Sequence, residues 1–472
     1  MKKTSLFILL LFTFLSCKKE EKLQLDSQTL EINNFIWKAM NAYYLWKDQK
    51  NILHDDYFAS QEDLNSFLDT YSDPEVLFED LIYDREHTDR WSWIVDDYEA
   101  LIQYFKGVRK TTGMRVGFVY EPGSTQYVFA YVRYVLSDSD AFDKGIKRGD
   151  IFRKINGQRL TKDNYIDLIS NDVLNIELAQ WSGNDLVDTG NVISLTKSIE
   201  NESPIHIAST FSYNGKKIGY LMYNGFTYDY NWNLNNVMIN FAGENIDELI
   251  IDLRYNPGGS VATMQYLASM ITGQFTNEVF LNYQWHPQLQ AWMQERYPNS
   301  LYRTFVDQMN NGEAIQHLYL NKVYVITTQS SASASESLIN CLKPYIDVIQ
   351  FGTRTHGKYT ASVTLFDSPD FSSKNINPNH KWALQPIVLK ISNAQGVSDF
   401  ADGLAPDFLQ AEDYQNLGVL GDPAEPLLHT VLEYISGNSP LPMRTSYTNQ
   451  ELYYLEQAYQ DNQYIGELPE LP

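Results

Sequence analysis

Lys322-Val-Tyr-Val-Ile-Thr-Thr328 runs directly into Gln329-Ser330-Ser331-Ala332-Ser333-Ala334-Ser335-Glu336, and the reading of this chain turns on that stretch. The first part is an apolar, β-branched run of buried-strand length. The second is built from small residues and opens a helix. A strand-to-helix turn of this kind suits a nucleophile. Small side chains let a substrate approach, and a helix N-terminus offers unpaired N–H groups to a developing anion. A Ser/Ala linker would not be bracketed by a buried strand and an amphipathic helix. Ser331, Ser333 and Ser335 are the hydroxyls this turn offers.

Downstream lies Gly352-Thr353-Arg354-Thr355-His356-Gly357-Lys358. A neutral lysine serves as general base for a serine when burial lowers its pKa, whereas an exposed one stays charged. Working outward, residues 217–410 alternate strands and helices. Ile218–Tyr223, Glu248–Leu253, Lys322–Thr328 and Asp347–Phe351 read as buried strands. Ser260–Ile271 and Ser335–Leu342 read as helices. This is an α/β pattern.

Residues 104–200 differ. Val116–Tyr120 and Tyr127–Val132 are aromatic and β-branched strands around the turn Glu121-Pro122-Gly123-Ser124. Ala141 to Gly157 then gives a short helix closed by Gly145, the pair Gly149-Asp150, a strand and an Asn-Gly turn. Residues 23–100 read as helical. Ile32, Phe35, Ile36, Ala39, Met40, Tyr43 and Tyr44 make one apolar face, and Asp73-Pro74-Glu75 is a helix start. This block shows no catalytic signature and is expected to be a packing domain.

The 472-residue chain has room for several domains. Its net charge of −23 would repel a phosphate backbone, which argues against nucleic acid as a partner. Lys2 and Lys3 precede the apolar run Leu6–Leu15. That run is too short to span a bilayer, which takes about 20 residues, but fits a secretory signal. Ser16-Cys17 at its end resembles a bacterial lipobox, with Cys17 as the lipidated residue of an exported, cell-envelope lipoprotein. Lys18-Lys19-Glu20-Glu21-Lys22 follows as a charged tether. The one other cysteine, Cys341, reads as a small buried apolar residue. Patterns for a metal or a nucleotide phosphate are absent, and no metal or cofactor is expected.

Two resemblances follow from these motifs. Ala141–Gly157 resembles the second half of a PDZ domain, a module that takes a peptide C-terminus as an added strand. Gly113, Arg115, Val116 and Gly117 are the candidate carboxylate-binding loop. Ser-Ala-Ser-Ala-Ser-Glu followed by Gly-Lys resembles the active site of the C-terminal processing serine peptidases. Asp252-Leu-Arg-Tyr-Asn-Pro-Gly-Gly259 and Ala401-Asp-Gly-Leu-Ala-Pro-Asp407 agree with two further family segments. The resemblance implies Ser333 as nucleophile and Lys358 as base. The Ala334 amide and that of Gly258 or Gly259 would form the oxyanion hole. It also implies a ClpP/crotonase-like core and polypeptide substrates.

The expected organisation is multidomain α/β. Residues 1–17 form a lipoprotein signal and 18–30 a tether. An N-terminal helical domain (31–103), a PDZ-like β-rich domain (104–200), a ClpP/crotonase-like α/β catalytic core (201–435) and a C-terminal extension (436–472) follow. Two positions depart from the family pattern. Ser362 stands where many members carry a base-orienting Gln. His356 replaces a plain aromatic and lies on the same side of an extended backbone as Lys358, as a helper or an alternative base. Two other readings stay open: an inactive PDZ-containing module that captures protein tails, and a crotonase-type acyl-thioester enzyme. The Ser/Lys pairing and the PDZ-like stretch argue against the second.

Overall fold

The computed structural model describes residues 26–438. The signal with Cys17, the tether up to residue 25 and the extension from 439 lie outside the described residues. Within them the protein is a multidomain mixed α/β structure.

The first helix, Ser27–Tyr43, starts earlier than the expected boundary at 31. Asp26 is the reason, because its carboxylate accepts the amides of Gln28 and Thr29 and caps the helix. Gln61–Leu68 and Pro74–Leu81 follow, capped by Ser60 and Asp73. The predicted apolar face is buried, from Ile32 and Phe35 to Tyr43. These helices do not form an independent core. Phe35, Ile36, Leu77 and Phe78 belong to one apolar cluster with Leu221, Leu249 and Val325 of the α/β part. The chain then pairs Trp93–Val95 antiparallel with Ala383–Gln385.

The α/β part is a six-stranded sheet in the order Ile205–Tyr213, Lys216–Tyr223, Glu248–Asp252, Lys322–Thr327, Asp347–Gly352, Phe408–Leu409. The first pair is antiparallel and the other neighbours are parallel. A parallel sheet is covered on both faces, so its strands read as unbroken apolar runs. Val323 and Val325 face the core shared with the N-terminal helices, while Tyr324 and Ile326 face the helix Pro426–Ile435. A four-stranded antiparallel sheet, Tyr302–Thr304, Val279–Trp285, Ile387–Asn393 and Thr360–Ser362, packs beyond Ala334–Leu342.

In the sequence, a β-rich unit stands between the N-terminal helices and the six-stranded sheet. Val108–Thr111 pairs with Ser198–Asn201 as its neck. The body is an antiparallel sheet of Met114–Tyr120, Val128–Val135, Ile151–Ile155, Val173–Ser182 and Asp185–Thr196, with the helix Tyr165–Ser170. The Asn156-Gly157 turn forms as its sequence predicts, with both residues at positive φ (52° and 76°). The unit has its own core, including Phe118, Phe152, Leu168 and Ile176. It docks on the α/β part through buried charges. Arg148 donates to the Glu412 carboxylate (2.8 Å) and the Tyr255 hydroxyl (2.7 Å). Arg254 bridges Glu412, Glu425 and Asp252.

Candidate active site

The strand Lys322–Thr327 delivers the chain to Ser333, which immediately precedes the helix Ala334–Leu342. Ser333 has φ 56° and ψ −111°, a conformation that L-residues rarely adopt. A strained turn between a strand and a helix presents a nucleophilic hydroxyl at its tip. The Ser333 Oγ is buried and makes no hydrogen bond. The two alternatives differ from it: Ser331 Oγ donates to the Leu253 carbonyl (2.7 Å) and Ser335 Oγ to the Asn256 carbonyl (2.9 Å). Both neighbouring hydroxyls are committed to backbone, and the one on Ser333 is not.

Glu336 ties this turn to the lysine loop. Its buried carboxylate accepts the Ser333 amide (2.8 Å), the Lys358 amide (2.8 Å), the Gly357 amide (2.6 Å) and the Thr355 hydroxyl (2.6 Å). Burial pushes its pKa up to about 6 against the pull of those four donors. In the sequence Glu336 is only the last residue of the Gln329–Glu336 stretch. Its role was not visible because its partners at 355–358 come from another element. Lys358 is 3% exposed. Burial lowers its pKa to about 8, opposed by the charges of Asp89 and Glu336.

Asp89 comes from the N-terminal block, which had been expected to do nothing but pack. It is fully buried. Its carboxylate accepts from the Tyr44 hydroxyl (2.8 Å), the Ser92 hydroxyl (2.5 Å) and the amides of Trp91 and Ser92. Ser92 Oγ in turn accepts the Ile387 amide (2.8 Å). No local pattern in Thr88-Asp89-Arg90-Trp91-Ser92 announces this, so the sequence offers no signal for it.

The glycine turn packs against the nucleophile. A methyl group at Gly258 would fall 2.8 Å from Ser333 Cβ and 3.0 Å from the Ala334 nitrogen. The Gly258 amide, however, donates to Asn256 Oδ1 (2.8 Å). That corrects the expectation for Gly258 as an oxyanion donor. The amides of Gly259 and Ala334 make no hydrogen bond to the described residues and remain for that role. Gly259 has φ 132°, and a Cβ there would lie 2.4 Å from the Phe226 carbonyl oxygen. Gly259→Ala is therefore expected to lower the thermal midpoint by several degrees, from backbone strain and clash of about 2 kcal/mol or more, as differential scanning fluorimetry will show.

The remaining predicted residues fall as follows. Ser362 is fully buried on its strand, but its Oγ makes no hydrogen bond, so it does not orient Lys358 here. His356 is half-buried, its amide donates to the Ser331 carbonyl (3.0 Å), and its Nε2 faces the Trp91 indole N–H at 3.5 Å. Arg115, the candidate carboxylate reader, pairs with Glu202 and donates to Thr111 Oγ1 (2.9 Å). Its charge is thus already answered. Gly117 lacks a side chain because the Tyr131 ring lies where its Cβ would be, and Ser139 fills that space at Gly113. Arg115 and Val116 line a cavity of about 810 Å³ that runs to Gly258 and Gly259, and Gly113 and Gly117 do not. Cys341 is fully buried in the apolar core, as its sequence context predicts. Among the described residues, no group of three or more His, Cys, Asp or Glu side chains is placed to hold a metal ion. No described helix is long and apolar enough to cross a membrane.

Residues 217–409 match the model of peptidase family S41, and residues 31–93 match the peptidase S41 N-terminal domain. A probable CtpA-like serine protease of Staphylococcus aureus strain N315 is 22% identical over 291 residues, 60% of this chain and 51% of that protein. The chain thus spans about half the length of the curated relatives it matches. A putative S41 protease from Bacteroides fragilis NCTC 9343 shares the fold with TM-score 0.64 at 24% identity, covering 85% of this chain and 97% of that one. The photosystem II D1 C-terminal processing protease aligns with TM-score 0.50 at 16% identity, over 88% of this chain and 100% of the other. With its N-terminal helices and its α/β part both matched, the chain belongs to peptidase family S41.

Proposed function

We propose that this chain is a serine endopeptidase of the C-terminal processing type, with Ser333 as nucleophile and Lys358 as general base. The observation that carries this reading is the Glu336 carboxylate, which holds the backbone amides of both residues at 2.8 Å. Lys358, with a pKa near 8, is substantially neutral in mildly alkaline solution and takes the Ser333 proton as Oγ attacks a peptide carbonyl. The ammonium so formed lies in the field of Asp89 and Glu336. The Gly259 and Ala334 amides hold the tetrahedral oxyanion. Collapse releases the amine half of the substrate, protonated by Lys358, and water then cleaves the acyl-enzyme by the same route. The test is labelling with a fluorophosphonate followed by peptide mapping. Adduct on Ser333 supports the peptidase, and no adduct favours a tail-binding module without catalysis.

The β-rich unit, as a PDZ-like domain, would recognise substrates by their C-terminal ends. The cavity between its Val116 edge and the Gly258-Gly259 turn fits that path. A peptide with a free C-terminus is expected to bind at least about tenfold more tightly than its C-terminal amide, since a charge-assisted hydrogen bond is worth roughly 1.5–3 kcal/mol. Equal affinities by fluorescence anisotropy would remove carboxylate recognition from the scheme. Cys17, outside the described residues, is proposed as the lipid-bearing residue of an exported cell-envelope protein. The mass of the mature N-terminus decides it, and an unmodified terminus beyond Cys17 would refute it.

A further inference from the structure

The cavity between the β-rich unit and the α/β part has a charge unlike the rest of the protein. Five cations line it, Arg109, Lys110, Arg115, Arg133 and Lys197, against three carboxylates, Asp96, Asp97 and Glu202. The whole chain carries −23. Lys110 and Arg115 have ion-pair partners in Asp172 and Glu202, but the balance at the cavity wall stays positive. Aromatic rings stand beside the cations, with the Arg109 guanidinium 4.4 Å from the centre of the Tyr104 ring.

Two lining residues hold unmet polar atoms. Arg109 Nε is buried with no acceptor. Asn224 has both side-chain atoms, Nδ2 and Oδ1, buried and unbonded, one residue before the Gly225-Phe226 backbone that pairs with Gly259. Buried polar groups are normally satisfied, and those that are not point to a ligand. A cationic donor asks for a carboxylate. An amide with both ends open asks for a peptide group, which offers C=O and N–H together.

We propose that residues 439–472 of this same chain occupy the cavity and hold the enzyme in an autoinhibited state. That segment carries five carboxylates, Glu451, Glu456, Asp461, Glu467 and Glu470, against the single cation Arg444. It also carries Tyr453, Tyr454, Tyr459 and Tyr464 for the aromatic wall. Its charge is opposite to the cavity's, and its tyrosines match the rings there.

The distance is within reach. The described chain ends just after Ser436, whose Oγ accepts from Asn214 Nδ2 at 2.9 Å. From Asn214 the edge strand Ile205–Tyr213 leads back to Pro204 at the cavity. Nine residues of strand span about 30 Å at roughly 3.3 Å each. The 34 residues from 439 to 472 extend to at most about 110 Å. Tethering gives such a segment an effective concentration in the millimolar range. Even a weak site is then largely filled, while a substrate of higher affinity still displaces it.

The docking stands apart from the chemistry, and only its consequence for turnover rests on the peptidase reading. The experiment uses the full chain carrying Ser333→Ala, with benzoylphenylalanine in place of Ile199. That residue lines the cavity and is 75% exposed. Irradiation, digestion and mass spectrometry are expected to give an intrachain adduct to a peptide within 439–472. The adduct should vanish when Glu451, Glu456, Asp461, Glu467 and Glu470 are changed to their amides. In the active chain those five changes should raise polypeptide hydrolysis about tenfold. Adducts only between two chains, or none to this segment, overturn the proposal. An intrachain adduct in a chain that hydrolyses nothing supports the docking and sinks the peptidase reading. Hydrolysis without an adduct does the reverse.

Discussion

Ser333→Ala is expected to lower kcat by a factor on the order of 10⁴ to 10⁶, the range seen when a serine nucleophile is deleted, with the thermal midpoint little changed. The second half of that expectation comes from the hydroxyl itself. Ser333 Oγ is buried and makes no hydrogen bond, so its removal breaks none. The main chain at φ 56° keeps its strain in the alanine variant, which adopts that region no more easily than serine. Ser333→Gly separates the two effects. Glycine takes positive φ without penalty, so this variant should be equally inactive yet more stable than Ser333→Ala by about 1 kcal/mol. The reactive residue is then one whose conformation costs stability, a trade common at active sites. Steady-state hydrolysis and chemical denaturation of the two variants measure both quantities. Near-full activity in Ser333→Ala would shift the nucleophile to Ser331 or Ser335, whose hydroxyls would first have to leave the Leu253 and Asn256 carbonyls.

Lys358→Met should also abolish turnover, and it should make the protein more stable at pH 7. Lys358 titrates near 8 in the folded chain, against an ordinary value of 10.5. Between those values the unfolded chain binds the proton and the folded chain does not, so stability rises with pH from about 8 to about 10.5. Below pH 8 the native lysine costs about 3 kcal/mol relative to alkaline solution, at about 1.4 kcal/mol per pH unit. Methionine fills similar space without the charge and removes that cost. In the native enzyme kcat/KM should rise with pH through one ionisation near 8. Asp89→Asn takes away a charge that favours the ammonium, so the rise should move to lower pH. A purely structural role for Asp89 would lower activity and leave the midpoint in place. Lys358→Arg should be inactive, because guanidinium stays protonated. If instead the rise falls near 6.5 and disappears in His356→Ala while Lys358→Ala stays active, His356 is the base.

The order of strands and helices in the α/β part was legible because each element is encoded locally. Unbroken apolar runs such as Val323–Ile326 belong to strands buried on two faces, and small residues mark where strand gives way to helix. The Asn156-Gly157 hairpin and the Asp73-Pro74 helix start are local in the same sense. Likewise the motifs whose family resemblance implies Ser333, Ala334, Gly259 and Lys358 are short and local, and Glu336 ties the backbones of Ser333 and Lys358 together. The sequence alone thus determined the elements and the candidate chemistry. Only the tertiary structure decided which groups are free to act. It committed the Gly258 amide to Asn256, the Ser331 and Ser335 hydroxyls to carbonyls, and Arg115 to Glu202. It also gave Glu336 four donors from two places, the Ser333 turn and the 355–358 loop, and set Asp89, from the loop after the N-terminal helices, close enough to favour the charged lysine. The reason is physical. Backbone conformation depends on a residue and its near neighbours, whereas a buried hydrogen bond or pKa depends on whichever distant segments share its low-dielectric surroundings.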